Sequence, residues 1–374
     1  MAGLLADYGV TAVFGVPGGQ TLPLYYGILD EGNRIRHILM KDEIDATFAA
    51  DAYARISGGI GVCDATAGCG AIKFISGLAE AYNTSIPVIA IGSEMEGDWL
   101  AARYRGTGSQ VVDSKEVLKP VTKWQACLPH VNKMPELVQT AAQMAVSGRP
   151  GPVFIECPWR PFREEYTGPD YESNRKLASL PAHRPTPSRD EIDEAIQVLK
   201  EAKRPVMLLG GGAWRSGARA EITALAERMA MPVAASLTGK GVLPENHPLS
   251  LGVVGSLGGN DVSRKMVEEA DVILAIGFKF SQNSTYGWTI PRKGQKEIRI
   301  DIDETEMNKL HTTDVGLVGD AKATLQLLLD RLDAQRDPTA VEKEIAKLYR
   351  AWRKKTGRRW RLTIVLLRRG SSPY

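Results

Sequence analysis

No apolar run in the 374-residue chain reaches the roughly 18 residues that cross a bilayer, and its first residues show no charged-then-apolar leader pattern. No membrane partner is expected, and the cytoplasm is the expected location. Cysteine is scarce. Cys63, Cys69, Cys127 and Cys157 lie far apart without a CxxC pair, which argues against a disulfide framework or a thiolate metal site and for buried free thiols. Acid is missing altogether from residues 345–374, which hold ten Lys or Arg. The net charge of +3 therefore divides into +10 on this tail and −7 on residues 1–344. A basic tail is a generic feature, and the acidic body gives no sign of nucleic acid, so none is expected as a partner. Neither GxGxxG nor a Walker loop occurs, and the lack of GxGxxG after a strand argues against a nicotinamide dehydrogenase.

What is present reads as α/β. The length suits two domains of roughly 150 residues. Short apolar runs at Thr11–Val16, Arg36–Met40, Gly61–Ala65, Pro87–Ile91 and Pro152–Ile155 alternate with helical patterns, the signature of βαβ units. Prolines 161, 169, 181, 185 and 187 mark an extended stretch. Ser188-Arg189-Asp190-Glu191 is then a capping box that opens a second series, with strands at Val206–Leu209, Val233–Ala235, Val272–Ile276 and Ile298–Ile302. The expected architecture is two doubly wound parallel-sheet domains joined by a Pro-rich linker. They span residues 1–160 and 188–335, the linker spans 161–187, and residues 336–374 form a helix and an irregular basic tail.

Doubly wound sheets bind ligands at the carboxyl ends of their strands. Gly15-Val16-Pro17-Gly18-Gly19 and Gly68-Cys69-Gly70 fall there, although tight strand-to-helix packing explains many such turns. Glu43 opens a helix just past a strand. One reading is an exposed first-turn acid favoured by the helix dipole; the other is a partly buried carboxylate able to pass a proton.

Taken together, "GVTAVFGVPGG", "HILMKDEIDATFAADAYARISGGIGVCDATAGCGA" and "AEAYNTSIPVIAIGSE" resemble the pyrimidine-binding domain of thiamine-diphosphate-dependent enzymes of the acetolactate synthase type. "RPVMLLGGGAWRSGA", "IRIDIDETEM" and "VGDAKATLQ" are similar to that family's central domain. The resemblance runs from residue 1 to about 332 and implies a 2-oxo acid decarboxylating or carboligating enzyme that works as a homodimer or tetramer with thiamine diphosphate and Mg²⁺. It gives Glu43 the catalytic role of hydrogen-bonding the cofactor's pyrimidine ring, which promotes loss of the thiazolium C2 proton. Thr66, Gly68 and Gly70 match the turn beside that ring, Pro17 and Gly18 a turn near the reacting centre, and Gln110 a glutamine that reaches the substrate region. Ser109 and Val111 stand where the family has phenylalanine and glutamate, and Lys73 replaces a usual asparagine or histidine, so the resemblance leaves the particular 2-oxo acid open. Flavin stays open as well. True acetolactate synthases bind FAD in the central domain, near residues matching Gly210–Gly212 and Asp301–Asp303, but Phe278–Trp288 lacks their arginine and acid pair. His247 reads as a loop histidine.

The family holds its cofactor's diphosphate and Mg²⁺ through a Gly-Asp-Gly segment on a third domain, and no Gly-Asp-Gly occurs here. The only Gly-Asp pairs, Gly97-Asp98 and Gly319-Asp320, fall in the first two domains, and no metal ligand is assigned. The expectation is a truncated or frame-shifted product. An inactive two-domain remnant and one half of a split enzyme stand as alternatives.

Overall fold

The computed structural model describes residues 1–95 and 107–370; Gly97-Asp98 lies outside them. The chain folds as two compact units, Met1–His183 and Arg184–Tyr374.

In the first unit, helices α1 (Ala2–Asp7), α2 (Leu22–Asp30), α3 (Glu43–Ser57), α4 (Cys69–Ile72), α5 (Ile75–Thr84), α6 (Ser114–Leu118), α7 (Met134–Val146) and α8 (Trp159–Arg163) surround six strands. These are β1 (Ala12–Gly15), β2 (Arg36–Leu39), β3 (Gly61–Ala65), β4 (Val88–Glu94), β5 (Trp124–Cys127) and β6 (Val153–Pro158). All pair in parallel, in the order β2-β1-β3-β4-β6-β5. The central strands β3, β4 and β6 are buried along their whole length, as parallel strands covered on both faces must be. One core, with Val13, Leu24, Ile91 and Val138, fills one side. The other is built from small residues, among them Ala46, Ala50, Ala54, Ala65 and Ala71 around Phe74 and Phe154. Those alanines let α3 lie close on β3, so close that a Cβ at Gly61 would stand 2.1 Å from the Ala50 carbonyl oxygen.

The second unit repeats the plan. Helices α9 (Arg189–Glu201), α10 (Gly211–Arg215), α11 (Arg219–Arg228), α12 (Asp261–Glu268), α13 (Ala321–Arg331) and α14 (Thr339–Gly370) accompany β7 (Pro205–Leu209), β8 (Val233–Ala235), β9 (Ser250–Val253), β10 (Val272–Ile276), β11 (Lys296–Asp301) and β12 (Val315–Val318). Its strands are again all parallel, ordered β12-β11-β10-β7-β8-β9. The capping box at Ser188 forms: the Ser188 hydroxyl accepts from the Glu191 N–H, and Glu191 accepts from the Ser188 N–H.

In the region expected as a helix and an irregular basic tail, helix α14 runs from Thr339 to Gly370. Ile345, Leu348, Tyr349 and Trp352 recur at helical spacing and pack on the second unit's core. Lys355 pairs with Asp261 at 2.8 Å, and Arg204 with Glu344 at 3.0 Å. The apolar stripe is what the charge count concealed. Among the described residues no helix is long and apolar enough to cross a membrane.

Candidate functional site

The first sheet reverses direction between β1 and β3, because the chain leaves β1 for β2 on one side and returns to β3 on the other. A crevice opens at the carboxyl ends of strands at such a switch point. The turns after β1 and β3 and the helix start after β2 all lie there.

Pro17 is exposed in the first turn. Gly18 rests on the second turn, since a Cβ there would stand 2.4 Å from Thr66 Oγ1. The Thr66 hydroxyl donates to Gln20 Oε1 at 2.6 Å and ties the two turns together. Gly68 has φ +60, and a Cβ on it would meet the Gln110 carbonyl oxygen at 1.5 Å. Only glycine satisfies both the left-handed backbone and that approach. The contact brings Gln110, exposed and itself at φ 60, against the β3 turn through its backbone.

Glu43 stands behind this turn. Of the two readings of it, the exposed first-turn acid is overturned: Glu43 is only 7% exposed. The alanine face of α3 seats the helix start beneath the Gly68–Gly70 turn, and a Cβ at Gly70 would lie 3.2 Å from Glu43 Oε1. Asp42, rather than Glu43, caps the helix, accepting from the Ile44 N–H at 2.8 Å. Glu43 Oε2 accepts from Lys73 Nζ at 2.9 Å, and Asp42 Oδ2 accepts from the same ammonium at 2.9 Å. Hydrogen bonds to Asp42 and then Glu43 raise the proton affinity of Lys73. The bond from Lys73 and the Ile44 N–H hold the Asp42 carboxyl below its ordinary value. Glu43 Oε1 has no hydrogen-bond donor among the described residues. Thus the structure brings Pro17, Gly18, Glu43, Thr66, Gly68, Gly70 and Gln110 to one end of one sheet.

Sequence reasoning missed a second carboxylate at that end. Asp64, fully buried in β3, accepts from the Tyr25 hydroxyl and bonds His37 Nε2 at 2.9 Å. Burial pushes the Asp64 carboxyl up, while the bonds from His37 and Tyr25 oppose the rise. Burial, then Asp64, pushes the Tyr25 hydroxyl up as well. The available signal was an acid in the middle of an otherwise apolar strand, Gly-Val-Cys-Asp-Ala.

The pyrimidine half of thiamine diphosphate fits these residues. Glu43 offers there a carboxylate oxygen with no hydrogen-bond donor among the described residues, beside a glycine turn at the sheet's switch point. The diphosphate half finds no counterpart: among the described residues no three His, Cys, Asp or Glu side chains gather as a metal site. Cys63, Cys69, Cys127 and Cys157 are free thiols.

The second unit has its own switch point, between β7 and β10. There the glycines meet each other. A Cβ at Gly210 would stand 1.8 Å from the Gly277 carbonyl oxygen, and one at Gly277 (φ +53) would stand 2.5 Å from the Gly212 Cα. Packing therefore accounts for Gly210–Gly212 without a ligand. Asp301, at the end of β11, accepts from the Asp303 N–H at 3.1 Å, and burial pushes its carboxyl up to about 6. Beside it the fully buried Arg299 pairs with Glu297 at 2.8 Å and lies over the Phe280 ring at 4.5 Å. His247 bonds Glu227 at 3.1 Å from an exposed loop.

Two family profiles match the chain. That of the thiamine pyrophosphate enzyme, N-terminal TPP binding domain, covers residues 1–117, and that of the thiamine pyrophosphate enzyme, central domain, covers residues 192–328. An acetolactate synthase of Arthrospira platensis is 38% identical over 334 residues, 87% of this chain and 56% of that protein. A probable 2-ketoarginine decarboxylase of Pseudomonas aeruginosa is 34% identical over 346 residues, covering 92% and 60%. A glyoxylate carboligase of Escherichia coli O157:H7 is 33% identical over 330 residues, covering 87% and 54%. The chain thus spans about half the length of the curated relatives it matches.

Proposed function

The chain belongs to the thiamine pyrophosphate enzyme family, and from that membership we propose that it supplies the pyrimidine-binding half of a site that decarboxylates or ligates a 2-oxo acid. One observation carries the reading: Glu43 is buried at the switch point, with Oε1 beside Gly70 and no donor on it among the described residues. Thiamine diphosphate, when bound, supplies the electron sink that the cleavage of a bond beside a carbonyl requires. Glu43 accepts a hydrogen bond from the ring and holds its proton. Thr66, Gly68 and Gly70 would line the ring, and Gly18, packed on Thr66, would extend that wall with Pro17. Gln110 stands at the substrate side. Among the described residues no cluster of His, Cys, Asp or Glu would hold Mg²⁺, so no step is assigned to the diphosphate half. The second unit takes a structural role, because its glycine turn is filled by the chain's own backbone, and FAD is not assigned to it.

A homodimer or tetramer goes with this reading. Ile44 and Phe48 on α3 and Ile75 and Tyr82 on α5 are exposed on two helices that pack together, an apolar surface that a second copy of the chain would cover.

Calorimetric titration of the purified protein with thiamine diphosphate plus Mg²⁺, beside Glu43→Ala, tests the reading. Saturable binding that the substitution abolishes supports it. Binding that survives the substitution removes Glu43 from the site.

A further inference from the structure

We propose that Lys73 is a positioning residue for Glu43, clamping one carboxylate oxygen so that the other is the single acceptor offered at Gly70. The inference rests on the reading that Glu43 meets the pyrimidine ring.

A glutamate carboxylate on a free side chain turns about three bonds and offers either oxygen in many directions. Here Oε2 is taken by Lys73 Nζ at 2.9 Å. A lysine on its own would be a poor clamp, because its stem is long and flexible. This one is held at both ends. Its ammonium is fixed by Asp42 Oδ2 at 2.9 Å, and Asp42 is itself fixed, because its other oxygen caps α3 through the Ile44 N–H at 2.8 Å. Its backbone N–H donates to the Gly70 carbonyl at 3.2 Å, so the stem starts from the very turn that Glu43 faces. The chain of contacts is closed: turn to Lys73, Lys73 to both carboxylates, Asp42 to the helix start, Glu43 back to the turn.

The ion pair does little for stability. Lys73 and Asp42 are 44% and 37% exposed in their side chains, and pairs so open to water contribute little to stability. Its effect falls on the orientation of Glu43. Orientation matters because a charge-assisted hydrogen bond to a ring nitrogen is strongly directional.

The first part of the test needs no cofactor. The free protein is acetylated competitively with a limiting amine reagent, and labelling at Lys73 is read by peptide mass spectrometry in the unaltered chain, Glu43→Gln and Asp42→Asn. Asn keeps the helix cap, so Asp42→Asn removes only the anchor. Labelling of Lys73 rises about threefold or more in each variant, because an ammonium relieved of its partners loses its proton more readily. The second part measures binding of the pyrimidine half alone, 4-amino-5-hydroxymethyl-2-methylpyrimidine, by ligand-observed NMR. Lys73→Met weakens it about tenfold, the equivalent of about 1.4 kcal/mol. Lys73→Arg recovers most of the loss, and the melting temperature stays within about 2 °C in both.

Unchanged Lys73 labelling overturns the clamp. Unchanged pyrimidine binding in Lys73→Met, with loss in Glu43→Gln, overturns it too and leaves the reading of Glu43 standing. Failure of the unaltered chain to bind the pyrimidine overturns both.

Discussion

The two units fold alike, with six parallel strands, one switch point and a glycine-rich turn at each, yet they use that point differently. In the first unit Gly68 makes room for the Gln110 backbone, and Gly70 makes room for a side chain, the Glu43 carboxylate. In the second the glycines make room for backbone, with Gly210 and Gly212 pressed on Gly277. Glycine content is the same kind of signal in both places. What separates a site from a hinge of packing is whether a polar atom without a partner stands in the opening.

The largest expected effect that sharpens this contrast is at Glu43. Glu43→Gln lowers 2-oxo acid turnover of the cofactor-loaded protein by about 10²–10⁴-fold, measured as CO₂ release. Turnover within a factor of two of the unaltered protein would dissolve the distinction between the units. Next comes Gly277→Ala, which places a Cβ against Gly212 on a left-handed backbone and costs about 3 kcal/mol or more by denaturant unfolding. It leaves pyrimidine binding unchanged, since the damage is confined to the second unit. A smaller effect follows from Asp301. Its folded-state value near 6 lies above the ordinary 3.8, so the native state binds the proton more tightly than the unfolded chain. Stability is therefore lost as pH rises from about 4 to about 6 and stays lower above that. Asp301→Asn raises unfolding stability at pH 8 by about 1–3 kcal/mol, a gain that vanishes near pH 4. Least affected is Gly19→Ala, where a Cβ would meet nothing within 4 Å; its stability changes by less than about 0.5 kcal/mol.

The sheet interiors were legible in the sequence. β3, β7, β8 and β10 coincide with largely apolar runs, because a strand buried on both faces is apolar at most positions. The strands left unread, β5, β9 and β12, all lie at sheet edges. Half-covered strands carry mixed residues, such as Trp-Gln-Ala-Cys in β5, and leave no run to detect. The turns and Glu43 stood out because each is local, a strand end followed by a helix start. Asp64 with its partners did not, since Tyr25 and His37 are 39 and 27 residues away and only the β2-β1-β3 order brings them together. Lys73 was legible as an unusual residue and illegible as a partner of Glu43, 30 positions back. In the tail the charge count drew the eye, while apolar residues every three or four positions, Ile345, Leu348, Tyr349 and Trp352, build α14 onto the second unit's core.

Asp42 divides its two oxygens between two tasks, one capping α3 and one anchoring Lys73. A single inherited position thus answers to two selective pressures that substitutions can tell apart. Asparagine or serine at 42 satisfies the helix, and a lineage held only to folding would drift among the three with little penalty. A lineage that depends on the orientation of Glu43 has no such latitude, and aspartate is the only one of the three that serves both. The breadth of what position 42 tolerates in descendants of this chain is therefore a record of whether the site was still in use.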